Sequence, residues 1–169
     1  MTPPEEKCCG RTLAEDLARQ ALDIQRHYFG PRHPDIAESL NVLGHVLLLR
    51  GRLDEAEAAF REALDQRLEF FGKVSAESAF TMHFLAEALA AKGQHEAAAP
   101  ILRQAIAIRT QLYGERHPDV AISLSLLGES LAARGNSQEA LVALQSAMDI
   151  RREFFDNESA EVANSLSTI

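Results

Sequence analysis

Apolar residues recur at alternating steps of four and three along several stretches of the chain, with polar residues between them. Ile36, Leu40, Leu43 and Leu47 show this spacing most clearly. Because an α-helix turns once in about 3.6 residues, the spacing places these side chains on one face of an amphipathic helix. It returns at Val120, Leu124, Leu127 and Leu131, and more weakly at Met82, Leu85 and Leu89. The pattern predicts three such helices, which we call helix A of each repeat.

A second predicted helix, helix B, follows each helix A. The helix B segments lie near residues 53–70, 94–113 and 137–155, and Gly72 and Gly114 mark the ends of the first two. Glycine commonly ends helices because it adopts positive φ without steric cost. Each full repeat is therefore predicted to be a hairpin of two helices.

The hairpins repeat with a fixed period of 42 residues. His33, Ser75, His117 and Ser159 mark the period, since 75−33, 117−75 and 159−117 each give 42. Small residues recur with the same period at Gly44, Ala86 and Gly128, at Gly51, Gly93 and Gly135, at Ala14, Ala56, Ala98 and Ala140, and at Ala21, Ala63, Ala105 and Ala147. A period in this range is typical of a solenoid of stacked helical hairpins.

The period also predicts the organisation of the chain, with a repeat domain over residues 11–169. The predicted segments are a flexible tail at 1–10, a lone helix B at 11–30, full repeats at 33–72, 75–114 and 117–156, and a partial helix A at 159–169.

Residues at the predicted helix ends agree with these boundaries. Pro34 and Pro118 suit the first helical position, where the missing N–H would have no partner in any case. Ser75 is predicted to cap the second helix A with its hydroxyl. Cations follow each helix A, where the carbonyl end of the helix favours positive charge, at Arg50, Lys92 and Arg134.

The small residues distinguish between two repeat classes. A length of 42 alone favours HEAT or armadillo units. The string Leu40-x-x-Leu43-Gly44, the turn from Gly51 to Ala56, and Ala63 in helix B instead resemble the tetratricopeptide repeat. The period is similar to the 42-residue variety of kinesin light chains. This resemblance implies an all-α, right-handed α-solenoid of antiparallel helix pairs.

The resemblance also implies a function, because tetratricopeptide solenoids hold a peptide or partner segment in a concave groove lined by helix A. We expect a non-catalytic protein-interaction module within a larger signalling or scaffold system. Asn41 matches a groove asparagine of kinesin light chains, and the glutamates favour an apolar ligand with some basic character. The predicted groove residues are Glu38, Asn41, His45, Leu48, Phe80, His83, Glu87, Ile122, Ser125 and Glu129.

His45, His83 and Glu87 are the strongest candidates for a metal or acid–base site. Zinc needs a third or fourth ligand in near-tetrahedral geometry, and the sequence has no H-E-x-x-H motif or cysteine cluster. Cys8 and Cys9 are adjacent, so a disulfide between them would be strained. We therefore expect no enzyme activity, no cofactor and no metal, and interpret the three residues as polar groove lining.

Composition limits the partners and the location. A formal net charge of −8 repels nucleic acid. Apolar runs such as residues 46–49 fall far short of the roughly 20 residues that span a bilayer. The first residues lack the apolar core of a signal peptide, so the expected location is cytoplasmic.

The sequence leaves one alternative function open, a structural scaffold that associates with itself through the exposed ends of the solenoid. Apolar residues in the last segment, at Val162, Leu166 and Ile169, favour such stacking.

Overall fold

The chain folds into α-helices, and the part that the structure describes contains no strand. The computed structural model describes the backbone of residues 5–167 and the side chains of residues 13–155. The helices are α1 (Glu5–Phe29), α2 (Pro34–Leu49), α3 (Leu53–Phe71), α4 (Ala76–Ala91), α5 (His95–Tyr113), α6 (Pro118–Ala133) and α7 (Ser137–Ser167). Helices α2, α4 and α6 are the predicted A helices, and the others correspond to helix B. The all-α helical-repeat fold predicted from the period is confirmed.

The A helices begin at side-chain caps. The Nδ1 atoms of His33 and His117 accept hydrogen bonds of 3.2 Å from the main-chain N–H groups of Asp35 and Asp119. Ser75 Oγ accepts one of 3.1 Å from the N–H of Ser78, as predicted. The histidines of the repeated His-Pro-Asp string are therefore helix caps, which satisfy N–H groups that lack partners within the helix.

Helix α7 differs from the predicted boundary near Asp156, because its backbone continues to Ser167 as one helix. The other B helices are followed at the equivalent position by Gly30, Gly72 and Gly114, whose φ angles of 82°, 80° and 88° turn the chain. Position 156 is an aspartate, so the usual glycine stop is missing. The backbone over 159–167 is a continuation of α7 and no separate helix A begins there.

Helix α1 also differs from its predicted start. It begins at Glu5, within the segment expected to be a flexible tail, and runs through Cys8 and Cys9. The side chains of these cysteines lie outside the described residues. The helix ends at Phe29, as predicted for the lone helix B.

The chain divides into two compact units, 1–94 and 95–169. In the first, α2 packs against α1 and α3, and α3 packs against α4. Ile36, Leu47, Phe60 and Leu89 are almost completely buried there. A Cβ atom at Gly44 would lie 2.7 Å from Phe60 Cε1, so the Phe60 ring must shift if a larger residue replaces Gly44.

In the second unit, α6 packs against α5 and α7. Val120 and Ala121 of α6 form a buried cluster with Ala147 and Ile150 of α7. A Cβ atom at Gly128 would lie 2.6 Å from Leu144 Cγ, which is the same close approach seen at Gly44. The small residues at the repeat position of Gly44 and Gly128 therefore mark helix-packing contacts, whereas Gly51, Gly93 and Gly135 have positive φ angles and no such contact.

Candidate functional site

One face of α2 and the facing side of α4 enclose a pocket of about 250 Å³ in the first unit. Its α2 residues follow the spacing of a helix face. The wall is mostly apolar and is lined by Glu38, Asn41, Val42, His45, Val46, Leu49, Phe80 and Phe84. Three of the residues predicted for the groove from α2, together with Phe80 of α4, lie at this pocket.

Asn41 is 4% exposed, although it lines the pocket. Its Nδ2 atom donates a hydrogen bond of 2.8 Å to the main-chain oxygen of Ala37, one turn earlier in α2. Its Oδ1 atom is buried and has no hydrogen-bond partner. A buried acceptor without a donor costs about 1–3 kcal/mol of stability. The donor of Asn41 is already used within the helix.

Aromatic side chains form the α4 wall of the pocket. Phe80 is 42% exposed, and its ring makes an edge contact with Phe84 at a centroid distance of 4.7 Å. His45 of α2 contacts Phe84 in the same way at 4.6 Å. A partly exposed aromatic ring held by its neighbours can contribute apolar contact area without reordering.

A buried arginine supports the rim of the pocket. Arg67 of α3 is 4% exposed, and its guanidinium carbon lies 5.7 Å from the centre of the Phe80 ring. One guanidinium nitrogen pairs with the Glu38 carboxylate, and the other donates a hydrogen bond of 2.7 Å to the main-chain oxygen of Glu77. Burial lowers the pKa of Arg67, and the carboxylates of Glu38 and Glu77 oppose this shift. Arg67 was not among the residues predicted from the sequence.

Three predicted groove residues of this unit take other positions. His83 is 7% exposed, with its ring edge-on to Phe84 at 5.3 Å, so it lies mostly within the fold. Leu48 and Glu87 are half-buried and do not line the pocket. Leu49 and Phe84, one residue beyond Leu48 and His83, lie there instead. The predicted groove residues of this unit therefore coincide with the pocket lining only in part.

The remaining predicted residues lie on α6, in the second unit. Ile122 is 45% exposed, Ser125 is half-buried and Glu129 is exposed. They occupy the positions that are 42 residues after Phe80, His83 and Glu87. The second unit thus presents one apolar and two polar side chains on its helix A.

Metal ligands and membrane-spanning helices were the other features that could have defined a site. Side chains 13–155 include no group of three or more histidine, cysteine, aspartate or glutamate residues placed to hold a metal ion. None of the helices in this part of the chain combines the length and apolar character needed to cross a membrane.

Helix pairs that repeat every 42 residues and present one face of helix A define a helical-repeat protein. The family model described as tetratricopeptide repeat matches residues 8–69 and 77–167. The chain therefore belongs to the tetratricopeptide repeat family. No curated protein matches its sequence.

Solved structures show the same fold. BtubC (BKLC) from P. vanneervenii superposes with a TM-score of 0.79 at 24% identity, over 85% of this chain and 57% of its own. A Podosopora anserina protein described as a kinesin light chain with nearly identical TPR-like repeats gives 0.70 at 24% identity, over 85% and 68%. MamA gives 0.56 at 17% identity, over 71% and 61%. The predicted tetratricopeptide repeat is confirmed, and the chain spans just over half of the BtubC chain.

Proposed function

We propose that this chain is a non-catalytic protein-interaction module that holds a segment of a partner protein against its A helices. In the first unit the site is the pocket between α2 and α4. In the second unit, the residues that contact a partner are Ile122, Ser125 and Glu129 on α6. The proposal includes a cytoplasmic location and a role within a larger signalling or scaffold system, as is common in this family.

The observation that supports it best is the pocket itself. Phe80 stays 42% exposed beside a pocket whose wall is mostly apolar and carries the polar side chains of Glu38 and His45. Apolar walls with a few directed polar groups are typical of binding sites. Tetratricopeptide repeats generally bind protein partners, and this pocket lies on the helix that such repeats use.

The test begins with a partner recovered on the immobilised chain, identified and then purified. Titration of that partner against Phe80→Ala should weaken binding about 30-fold or more, as truncation of an aromatic anchor commonly does. Phe71→Ala is the matched control, because Phe71 is 44% exposed on α3 and does not line the pocket. Equal affinities for Phe80→Ala and the unaltered chain would reject the proposed site.

A second candidate function is self-association, and α1 favours it. Leu13, Leu17, Ile24 and Tyr28 are between 55% and 76% exposed along this helix. Leu17 and Ile24 stand 42 residues before Ala59 and Gln66 of α3, which are both buried. An exposed apolar stripe on a repeat helix favours stacking onto another copy. The predicted contacts of Val162, Leu166 and Ile169 lie outside the described side chains.

Size exclusion with light scattering distinguishes partner binding from self-association when it is run at two protein concentrations. A partner receptor should keep the mass of one chain at both concentrations. A scaffold should gain mass with concentration and lose that gain in the variant Leu17→Glu/Ile24→Glu. A constant single-chain mass would reject self-association.

A further inference from the structure

The second unit contains a cleft between its two B helices, α5 and α7, which we call the α5–α7 cleft. We propose that this cleft binds a small primary amine, with the ammonium group beside Asp149 and an apolar group on the floor of the cleft. The site is formed by residues other than those of the pocket between α2 and α4. It therefore goes beyond the proposed function and does not depend on it.

Ion pairs join the equivalent B helices of the first unit, α1 and α3. They connect α3 to α1 and to the turn after α1, and they are Arg19–Glu55, Arg26–Glu62 and Arg32–Glu69. Arg26 Nη2 lies 2.7 Å from Glu62 Oε1, and both residues line the cleft between these helices. The middle pair therefore joins the two walls of the cleft in the first unit.

The second unit repeats the outer ion pairs two periods later, but the middle pair is replaced. The outer pairs are Arg103–Glu139 and Arg116–Glu153. At the middle position, Thr110 and Ser146 stand in place of the arginine and the glutamate, and both line the α5–α7 cleft. Ser146 Oγ donates a hydrogen bond of 2.9 Å to the main-chain oxygen of Val142 within its own helix. Two neutral hydroxyl groups cannot form an ion pair, so the middle of this cleft is left uncrossed.

The α5–α7 cleft has the size and the floor of a small-molecule site. Its volume of about 350 Å³ lies in the range of ligand pockets, roughly 300–1,000 Å³. The floor is apolar and consists of Ile106, Val120, Leu124 and Ile150. These residues belong to the buried cluster of α6 and α7 or pack against it, so their positions are fixed by the fold. Since an apolar cavity of about 150 Å³ already holds benzene, a phenyl ring with a short chain fits here.

The charges at the mouth of the cleft select the ligand. Asp149 and Glu115 line the cleft and are exposed to solvent. Arg116 also lines it, but its guanidinium is paired with Glu153. The two carboxylates therefore give the mouth a negative potential, which attracts a cation and repels an anion. The two hydroxyl groups of the cleft can also accept hydrogen bonds from the three N–H donors of a primary ammonium group.

Four small ligands test the two requirements separately. They are phenylpropylamine, phenylpropanol, phenylpropanoate and propylamine, each titrated into the full chain and followed by NMR shifts of the backbone amides. Phenylpropylamine should saturate the chain below about 10 mM, as expected for a ligand of this size. Phenylpropanol should bind about threefold or more weakly, because it lacks the charge. Phenylpropanoate, which carries the wrong charge, and propylamine, which lacks the ring, should each bind at least about tenfold more weakly.

A double variant tests the uncrossed middle of the cleft. Thr110→Arg/Ser146→Glu builds the ion pair that Arg26 and Glu62 form in the first unit. It should weaken phenylpropylamine binding at least about tenfold, because the new pair lies across the cleft and occupies the space of the ligand. The urea midpoint of the variant shows whether the chain remains folded.

A single variant tests the charge at the mouth without altering the core. Asp149→Lys changes an exposed position and should weaken phenylpropylamine binding at least about tenfold, because the ammonium group then meets a like charge. Asp65→Lys is the matched control. Asp65 is exposed at the same repeat position of α3 and does not line the cleft of the first unit. Its replacement should leave the affinity within about twofold, as is usual for surface changes away from a site.

Four results would overturn the proposal. They are equal binding of phenylpropanoate and phenylpropylamine, unchanged affinity in the folded Thr110→Arg/Ser146→Glu variant, equal losses in Asp149→Lys and Asp65→Lys, or no saturation at about 10 mM phenylpropylamine. Shift changes confined to residues outside α5, α6 and α7 would also reject this cleft as the site. If the double variant unfolds, the comparison of Asp149→Lys with Asp65→Lys decides.

Discussion

The guanidinium of Arg67 donates a hydrogen bond of 2.7 Å to the main-chain oxygen of Glu77, so the end of α3 is tied to the first turn of α4. Arg109, 42 residues later, donates to the main-chain oxygen of Asp119 over the same 2.7 Å and ties α5 to α6. Both arginines are almost completely buried. We call this repeated contact the arginine tie.

Arg109→Met should destabilise the second unit by about 1–3 kcal/mol, because two polar groups each lose one hydrogen bond from a charged donor. The groups concerned are the Asp119 carbonyl and the Ser123 hydroxyl, to which Arg109 donates at 2.6 Å. Urea unfolding measures the change. Arg151→Met is the control, because Arg151 occupies the same repeat position but is exposed, and it should shift the stability by no more than about 0.5 kcal/mol. An equal loss of stability in Arg109→Met and Arg151→Met would contradict a stabilising role for the arginine tie.

Gly44→Ala should destabilise the first unit by about 1–3 kcal/mol, because the added methyl group overlaps the Phe60 ring. Phe60→Leu alone should also destabilise, since it removes a fully buried ring. The double variant should lose less stability than the two single variants lose together, because the smaller leucine leaves room for the added methyl group. A double-mutant cycle in urea with a coupling of at least about 1 kcal/mol is expected. If the two losses of stability simply add in the double variant, α2 and α3 can move apart freely to admit the methyl group.

The pair of Glu57 and Lys92 should make the first unit sensitive to acid. Lys92 Nζ donates to Glu57 Oε2 at 2.6 Å, and this hydrogen bond is the main cause that lowers the pKa of Glu57 below its usual 4.5. Because the folded-state pKa is the lower one, the stabilisation is complete above about pH 4.5 and is lost as the pH falls through the folded-state value.

Urea unfolding of Glu57→Gln between pH 7 and pH 3 checks this pH dependence. The variant should be less stable than the unaltered chain at pH 7, and the two should converge toward pH 3. Glu96→Gln, at an exposed position of α5, is the control and should follow the unaltered chain at every pH. If the difference in stability between Glu57→Gln and the unaltered chain stays constant from pH 7 to pH 3, the effect of the substitution does not come from charge.

The His33 cap should be worth about 0.5–2 kcal/mol, the usual range for a side chain that caps a helix. His33 is held in place by stacking on Phe29 at a centroid distance of 4.3 Å. His33→Ala should lower the thermal midpoint of unfolding at pH 7, whereas His33→Asn should retain most of the stability, because asparagine is itself a good cap. If both variants lose the same amount, stacking on Phe29 is the larger contribution.

Most of the fold could be predicted from the sequence, because the residues that mark helix faces and helix ends recur in each repeat. Helix α3 begins at Leu53, as predicted, and ends one residue past Phe70. The prediction was wrong at α7, where no glycine ends the helix. The repeat pattern predicts a helix end there, but the residues at that position do not include the glycine that ends the other B helices.

The site was harder to predict than the fold. Sequence spacing indicates which side of helix A faces away from helix B, but the burial of Asn41 and His83 depends on how closely α4 approaches α2. Phe84 was not among the predicted groove residues, because it lies one position beyond the helix face on which those residues fall. The arginine tie had a readable signal, since Arg67, Arg109 and Arg151 share one repeat position. A basic residue that recurs beside an apolar face indicates a buried donor.

The arginine tie also bears on the rate of folding. Each tie joins residues only ten positions apart in the chain. Contacts of short sequence separation close small loops, and chains that depend on them fold fast. In repeat proteins, folding can begin at any repeat and spread to its neighbours. Loss of one tie should therefore slow the folding of its own unit, while the nucleation of the other unit proceeds at its original rate.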